Sequence, residues 1–152
     1  DNTRSRGLGD VYKRQLKNWE NELRGIPSKI TQLLNSADAI KDLVPHISKA
    51  KSTFFIGRNI NFPLALEGAL KLKEISYIHA EGYPAGELKH GPLALLSSET
   101  PVIAIAVQDH TYSKLISNIE EISARSAPVI TVAQKGDQQA LRVSDHGFEL
   151  PE

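Results

Sequence analysis

Three short runs rich in β-branched or aromatic residues, Thr53-Phe54-Phe55-Ile56, Pro101 to Val107 and Val129 to Ala133, are separated by long stretches with helical spacing. This alternation constrains the fold more than any other feature of the chain. Each run is apolar at consecutive positions, so each predicts a strand covered on both faces. A helical pattern runs from about Pro63 to His79, and another from Tyr112 to Arg125 places Leu115, Ile116, Ile119 and Ile122 on one side. Between them, Gly82 to Pro92 holds three glycines and two prolines, which predicts turns around at most a short helix. Gly147 to Leu150 is a weaker fourth strand. Strand and helix in alternation, with short links, describe a parallel sheet wrapped by helices through right-handed crossovers. The expected class is α/β: a three-layer α/β/α sandwich, incomplete at its C-terminal edge.

The N-terminal third reads differently. Leu16, Trp19, Leu23, Ile26, Ile30, Leu33 and Leu34 recur at helical intervals, interrupted near Gly25 to Pro27. A helix in two segments is expected, the second starting close to Pro27, since proline suits a first helical turn. Ser36 or Asp38 is positioned to cap a further helix through Ile40, Leu43, Val44 and Ile47. Residues 1–15 have no apolar period, and Asp10-Val11-Tyr12-Lys13-Arg14-Gln15 resembles the translation of a transposon adaptor used in sequencing libraries. The alternative is a natural flexible linker. Either way the segment is set aside from fold reasoning and expected to pack poorly. The expected organisation is thus residues 1–15 apart, connector helices over 16–50, and a truncated α/β domain over 51–152. With no methionine anywhere, a chain opening on Asp1 reads as a fragment.

Composition removes several classes of function. Lys plus Arg is 18 and Asp plus Glu is 18, a balance unlike the basic excess of nucleic-acid binders. The absence of cysteine excludes a disulfide framework, a thiolate zinc site and a cysteine nucleophile. The longest apolar run, Val102 to Val107, falls far short of the ~20 residues that cross a bilayer. No secretory signal opens the chain, so no membrane is expected as a partner and the expected compartment is the cytoplasm.

The Pro63–His79 pattern carries the chemistry. Its apolar residues cover most of the circumference, yet Glu67, Lys71 and Glu74 interrupt them. At 100° per residue, Lys71 lies about 40° and Glu74 about 20° from Glu67, so the three share one narrow stripe. Such a stripe is either a solvated face stitched by i,i+3 and i,i+4 pairs, or a cleft where carboxylate and ammonium tune each other for acid–base work. The segment Ala85-Gly86-Glu87-Leu88-Lys89-His90-Gly91-Pro92 then sets a histidine, the residue that titrates near neutrality, among loop-shaping glycines. Gly57-Arg58-Asn59 follows the first strand, where α/β sheets bind anions, but it lacks a Gly-rich dinucleotide spacing, a P-loop and any hydroxyl side chain. Its three residues are weak candidates for substrate binding.

No metal and no cofactor are expected. His79-Ala80-Glu81 has the His-x-Glu order of zinc deaminases, which also need cysteines. Glu87 and His90 have Glu-x-x-His spacing, which di-iron bundles use in two copies on long helices. His46, His110 and His146 are scattered.

The run Ala65-Leu66-Glu67-Gly68-Ala69-Leu70-Lys71-Leu72-Lys73-Glu74, together with Glu87-Leu88-Lys89-His90-Gly91-Pro92, closely resembles the isomerising glutamine–fructose-6-phosphate aminotransferase family. The likeness is to the second sugar isomerase (SIS) domain of the family's synthase half, a flavodoxin-like doubly wound fold, and covers roughly Leu16 to Glu152. The Leu16–Leu34 pattern is similar to the connector from the first SIS domain. The family makes glucosamine 6-phosphate from fructose 6-phosphate and glutamine-derived ammonia. The resemblance implies that Glu74 moves the proton between C1 and C2, that Lys71 is its catalytic neighbour, and that His90 opens the sugar ring. Glu67 is implied to orient Lys71. A homodimer is implied, since the family's histidine loop completes a neighbouring subunit's site. A glutaminase domain and the first SIS domain are implied as partners in the full-length chain, and the piece alone is expected to be inactive. Two alternatives stay open: another SIS amino-sugar-phosphate isomerase or deglycase, and a non-catalytic module that senses sugar phosphates.

Overall fold

The consecutive apolar runs become the central strands of one sheet. The computed structural model describes residues 3–151, with side chains from residue 11 onward. Five strands, β1 (Ser52–Gly57), β2 (His79–Pro84), β3 (Val102–Ala106), β4 (Val129–Gln134) and β5 (His146–Leu150), are all parallel, in the order β2-β1-β3-β4-β5. Alternation along β1 splits the core. Phe54 and Ile56 join Leu88, Leu115, Ile119 and Ile122 on one face, while Phe55 joins Ala65, Ala69, Ile103 and Ile130 on the other. The result is the expected α/β sandwich with helices on both faces of the sheet.

Helix α4 (Asn61–Ser76) packs on β1 and β2 through Ala65 and Ala69, which are almost wholly buried. It stops short of the expected His79. Tyr77 adopts a left-handed conformation (φ 60°) while its N–H bonds to the carbonyl of Lys73, and the chain leaves as β2. Strand β2 was not legible as a strand, because it is a sheet edge on which only Ala80 is fully covered. Gly82 is required there by close approach: a Cβ would lie 2.9 Å from the Cα of Leu66 on α4. Two 3-10 turns, Ala85–His90 and Pro92–Leu95, then lead to β3. Helix α5 (Tyr112–Ser123) buries the four residues its pattern predicts. The five-residue α6 (Gln138–Arg142) is too short to show a period in the sequence.

The N-terminal helix corrects a second expectation. Instead of two segments, α1 runs unbroken from Thr3 to Asn35 with Pro27 inside it. Proline removes one backbone donor, yet the helix continues through it: Arg24 pairs with Glu20 at 2.7 Å, Lys29 reaches Glu22 at 3.3 Å across Pro27, and Thr31 donates to the Pro27 carbonyl. Helix α1 therefore also spans residues 15 and 16. The further helix expected after Ser36 divides into α2 (Ala37–Lys41) and α3 (Val44–Ile47); Ser36 donates back to the Leu33 carbonyl rather than capping forward. The chain forms two compact units, residues 1–36 and 37–152. Among the described residues, no helix is long and apolar enough to cross a membrane.

Candidate functional site

Helix α4 gathers the three ionisable residues of its stripe. Lys71 Nζ lies 2.7 Å from Glu74 Oε2 and 3.7 Å from Glu67 Oε1, so one ammonium bridges two carboxylates. The hydrogen bond to Glu74, then that carboxylate's charge, holds the Lys71 ammonium above its ordinary range. All three side chains are about half exposed, and Leu64, Leu70 and Ile75, exposed as well, lie on the same helix. A cavity of about 460 Å³ lies elsewhere in the second unit, between aliphatic side chains such as Leu43, Ile47, Leu72 and Ile130, and none of the stripe residues lines it.

His90 ends the Ala85–His90 turn, which Ala85 and Leu88 pin to the core at 0% and 2% exposure. Burying a leucine side chain contributes roughly 2 kcal/mol, enough to fix where a six-residue turn sits. His90 Nε2 is 3.9 Å from Glu87 Oε2, and both groups are exposed. Among the described residues no ion pair connects this pair with the α4 stripe. The neighbouring Lys89 ammonium lies 2.8 Å from Glu121 Oε1 on α5. Its hydrogen bond keeps the Glu121 carboxyl below the usual carboxylate range, against an opposing push from burial.

Gly57-Arg58-Asn59 lies at the carboxyl end of β1, where the strand order reverses between β1 and β3. The structure commits its side chains to internal contacts. Arg58 Nη1 donates to Asn118 Oδ1 at 2.8 Å, and Asn59 Nδ2 donates to Asp109 Oδ2 at 3.1 Å. The buried Asn61 donates to the Val107 carbonyl at 3.1 Å, so the loops after β1 and β3 are tied together.

The fold assembles two further polar clusters. Asp137, buried after β4, accepts from Tyr112 Oη at 2.6 Å, from Gln108 Nε2 at 3.2 Å and from the Ala140 N–H at 3.0 Å. Burial pushes its carboxyl up, but those hydrogen bonds, led by Tyr112, outweigh it and the net direction is down. Burial, then Asp137, drives the Tyr112 phenol upward. Gly136-Asp137 ahead of a helix was the available signal, an N-cap that the shortness of α6 concealed. On β2, Tyr83 hydrogen-bonds Glu81, which His79 Nε2 approaches at 3.0 Å, an i,i+2 row that needs the strand to exist. Among the described residues, no three His, Asp or Glu side chains converge as metal donors.

Comparison with known proteins places this geometry in context. Residues 46–152 match the SIS domain family. The chain is 51% identical over 137 residues to the glutamine--fructose-6-phosphate aminotransferase [isomerizing] of Methanosarcina acetivorans, covering 90% of this chain and 22% of that protein. It is 52% identical over 130 residues to the enzyme of the same name from Synechocystis, covering 85% of this chain and 21% of that one. Among solved structures, the C-terminal domain of glucosamine-fructose-6-phosphate aminotransferase from Francisella tularensis superposes with a TM-score of 0.82 at 38% identity, over 91% of this chain and 39% of that one. The chain thus spans about a fifth of the length of the curated relatives it matches.

Proposed function

The chain belongs to the SIS domain family, and on that premise we propose that it is the second SIS domain of an isomerising glutamine–fructose-6-phosphate aminotransferase. In this reading, ammonia taken from glutamine condenses with open-chain fructose 6-phosphate at C2, with loss of water. Glu74 removes a proton from C1 of the imine and returns it to C2, while the C1 hydroxyl gives up its proton and the imine nitrogen takes one, leaving an aldehyde at C1 and an amine at C2, which is glucosamine 6-phosphate. One base that reaches both carbons suffices, and a residue on a rigid helix keeps its reach fixed. The Lys71 ammonium stabilises negative charge as it develops on the C1 oxygen. His90 transfers the proton that opens the sugar ring, and Glu67 orients Lys71. No cofactor takes part.

The observation that carries this reading is Lys71 bridging Glu67 and Glu74 at 3.7 and 2.7 Å on one stripe of α4. The exposed aliphatic side chains of the same helix support a further part of it: a neighbouring SIS domain of a homodimer covers the stripe and excludes water from it. The first SIS domain and the glutaminase domain lie elsewhere in the same longer polypeptide, residues 1–15 are foreign to it, and the isolated chain is inactive. In the full-length enzyme, Glu74→Gln is expected to abolish isomerisation while fructose 6-phosphate still binds, measured by product formation and by calorimetric titration. Wild-type turnover by that variant would refute the assignment.

A further inference from the structure

Helix α5 reaches both the β1–α4 turn and the Ala85–His90 turn that carries His90. Asn118, on its inner side and only 6% exposed, accepts from Arg58 of the β1–α4 turn at 2.8 Å. Its amide nitrogen donates to Glu121 Oε2 at 3.4 Å, and Glu121 holds Lys89 at 2.8 Å, one residue before His90. The guanidinium of Arg58 also lies against Gly86: a Cβ there would sit 2.9 Å from Nη1 and 3.3 Å from Cζ. The Ala85–His90 turn is therefore touched at Gly86 by Arg58 and at Lys89 by Glu121, and Asn118 links the two. We infer that Asn118 and Glu121 are positioning residues, holding this turn onto the β1–α4 turn and thereby setting where His90 stands. The inference rests on the role proposed above for His90 and adds a device that no motif of the sequence announces.

Energetics distinguish this role from simple stabilisation. Lys89 and Glu121 form a partly exposed pair, at 59% and 35%, and such pairs add little to global stability. Asn118 differs, because removing it leaves Arg58 without its acceptor in a half-buried site. The expected signature is a turn that loosens locally and a catalytic step that slows, without loss of the fold.

The test uses the full-length enzyme with Glu121→Gln, Asn118→Ala, and the exchanged pair Lys89→Glu with Glu121→Lys. Amide hydrogen exchange across residues 85–90 is expected to rise about tenfold in the first two variants, with the β3 and α5 core unchanged. Turnover should fall about tenfold with little change in KM, the exchanged pair should recover most of it, and Glu121→Gln should add no loss to His90→Asn. Unchanged exchange in residues 85–90 overturns the inference whatever the kinetics do. Faster exchange with normal turnover, while His90→Asn is impaired, overturns the positioning role. Faster exchange with a fully active His90→Asn leaves the clamp standing and instead removes His90 from the proposed mechanism.

Discussion

Asp137 accepts hydrogen bonds from Tyr112, Gln108 and the Ala140 N–H at a position just after β4. It caps α6 through the Ala140 N–H and ties α5 to the β4 loop through Tyr112. Because the Tyr112 phenol is pushed up by burial and by Asp137, folded and unfolded chains part company in alkali. An unfolded tyrosine ionises near pH 10 while the folded one keeps its proton. Between those points the unfolded state binds fewer protons, so stability is full below about pH 10 and falls as pH rises above it. Urea midpoints measured at pH 8 and pH 11 should therefore separate more for the wild type than for Tyr112→Phe. Equal separations would mean that Tyr112 titrates alike in both states. The carboxylate acts in the opposite sense: its lowered pKa stabilises the fold above about pH 4 and that contribution is lost on further acidification.

At the scale of elements, close contact between α4 and the sheet decides what can change. Gly57 ends β1 where α4 begins, and a Cβ there would lie 2.3 Å from the Asn61 carbonyl oxygen, a backbone atom that cannot swing aside. At Gly68 the same addition meets only the Phe55 ring, at 2.8 Å. Gly57→Ala is expected to cost about 3 kcal/mol in urea unfolding, and Gly68→Ala about 1 kcal/mol, since a ring edge shifts more cheaply than a peptide. Comparable losses would show that the β1–α4 turn can relax. The same elements explain which parts of the fold were legible. Strands β1, β3 and β4 are covered on both faces and announce themselves as apolar runs, and α5 shows its period because only one side is buried. Strand β2 and helix α6 depend on neighbours, an edge pairing and a single aspartate cap, that no local pattern records. The Glu67–Lys71–Glu74 stripe was legible because helical spacing alone brings it together. The links from Arg58 to Asn118 and from Lys89 to Glu121 were not, since they join residues 60 and 32 positions apart.

Over the whole molecule, the two units differ in kind. Residues 37–152 hold both core clusters, all five strands and the candidate site, and the SIS family match begins within them at residue 46. Unit 1 holds one long helix, most of whose described apolar side chains, Trp19, Leu23 and Leu34 among them, are exposed. A helix whose apolar side chains are mostly exposed gains little beyond propensity and its i,i+4 pairs, whereas a sheet with a core on each face unfolds cooperatively. A polypeptide of residues 37–152 should therefore keep the urea midpoint of the full chain, read by tryptophan-independent far-ultraviolet circular dichroism because Trp19, the one tryptophan, is removed. What should change is helical signal lost in proportion to residues 3–35. In the full chain that signal should melt at lower urea than the sheet, a separate early phase absent from the shortened one. A single transition in the full chain, with a midpoint that drops on truncation, would mean that the helix and the α/β unit fold as one body.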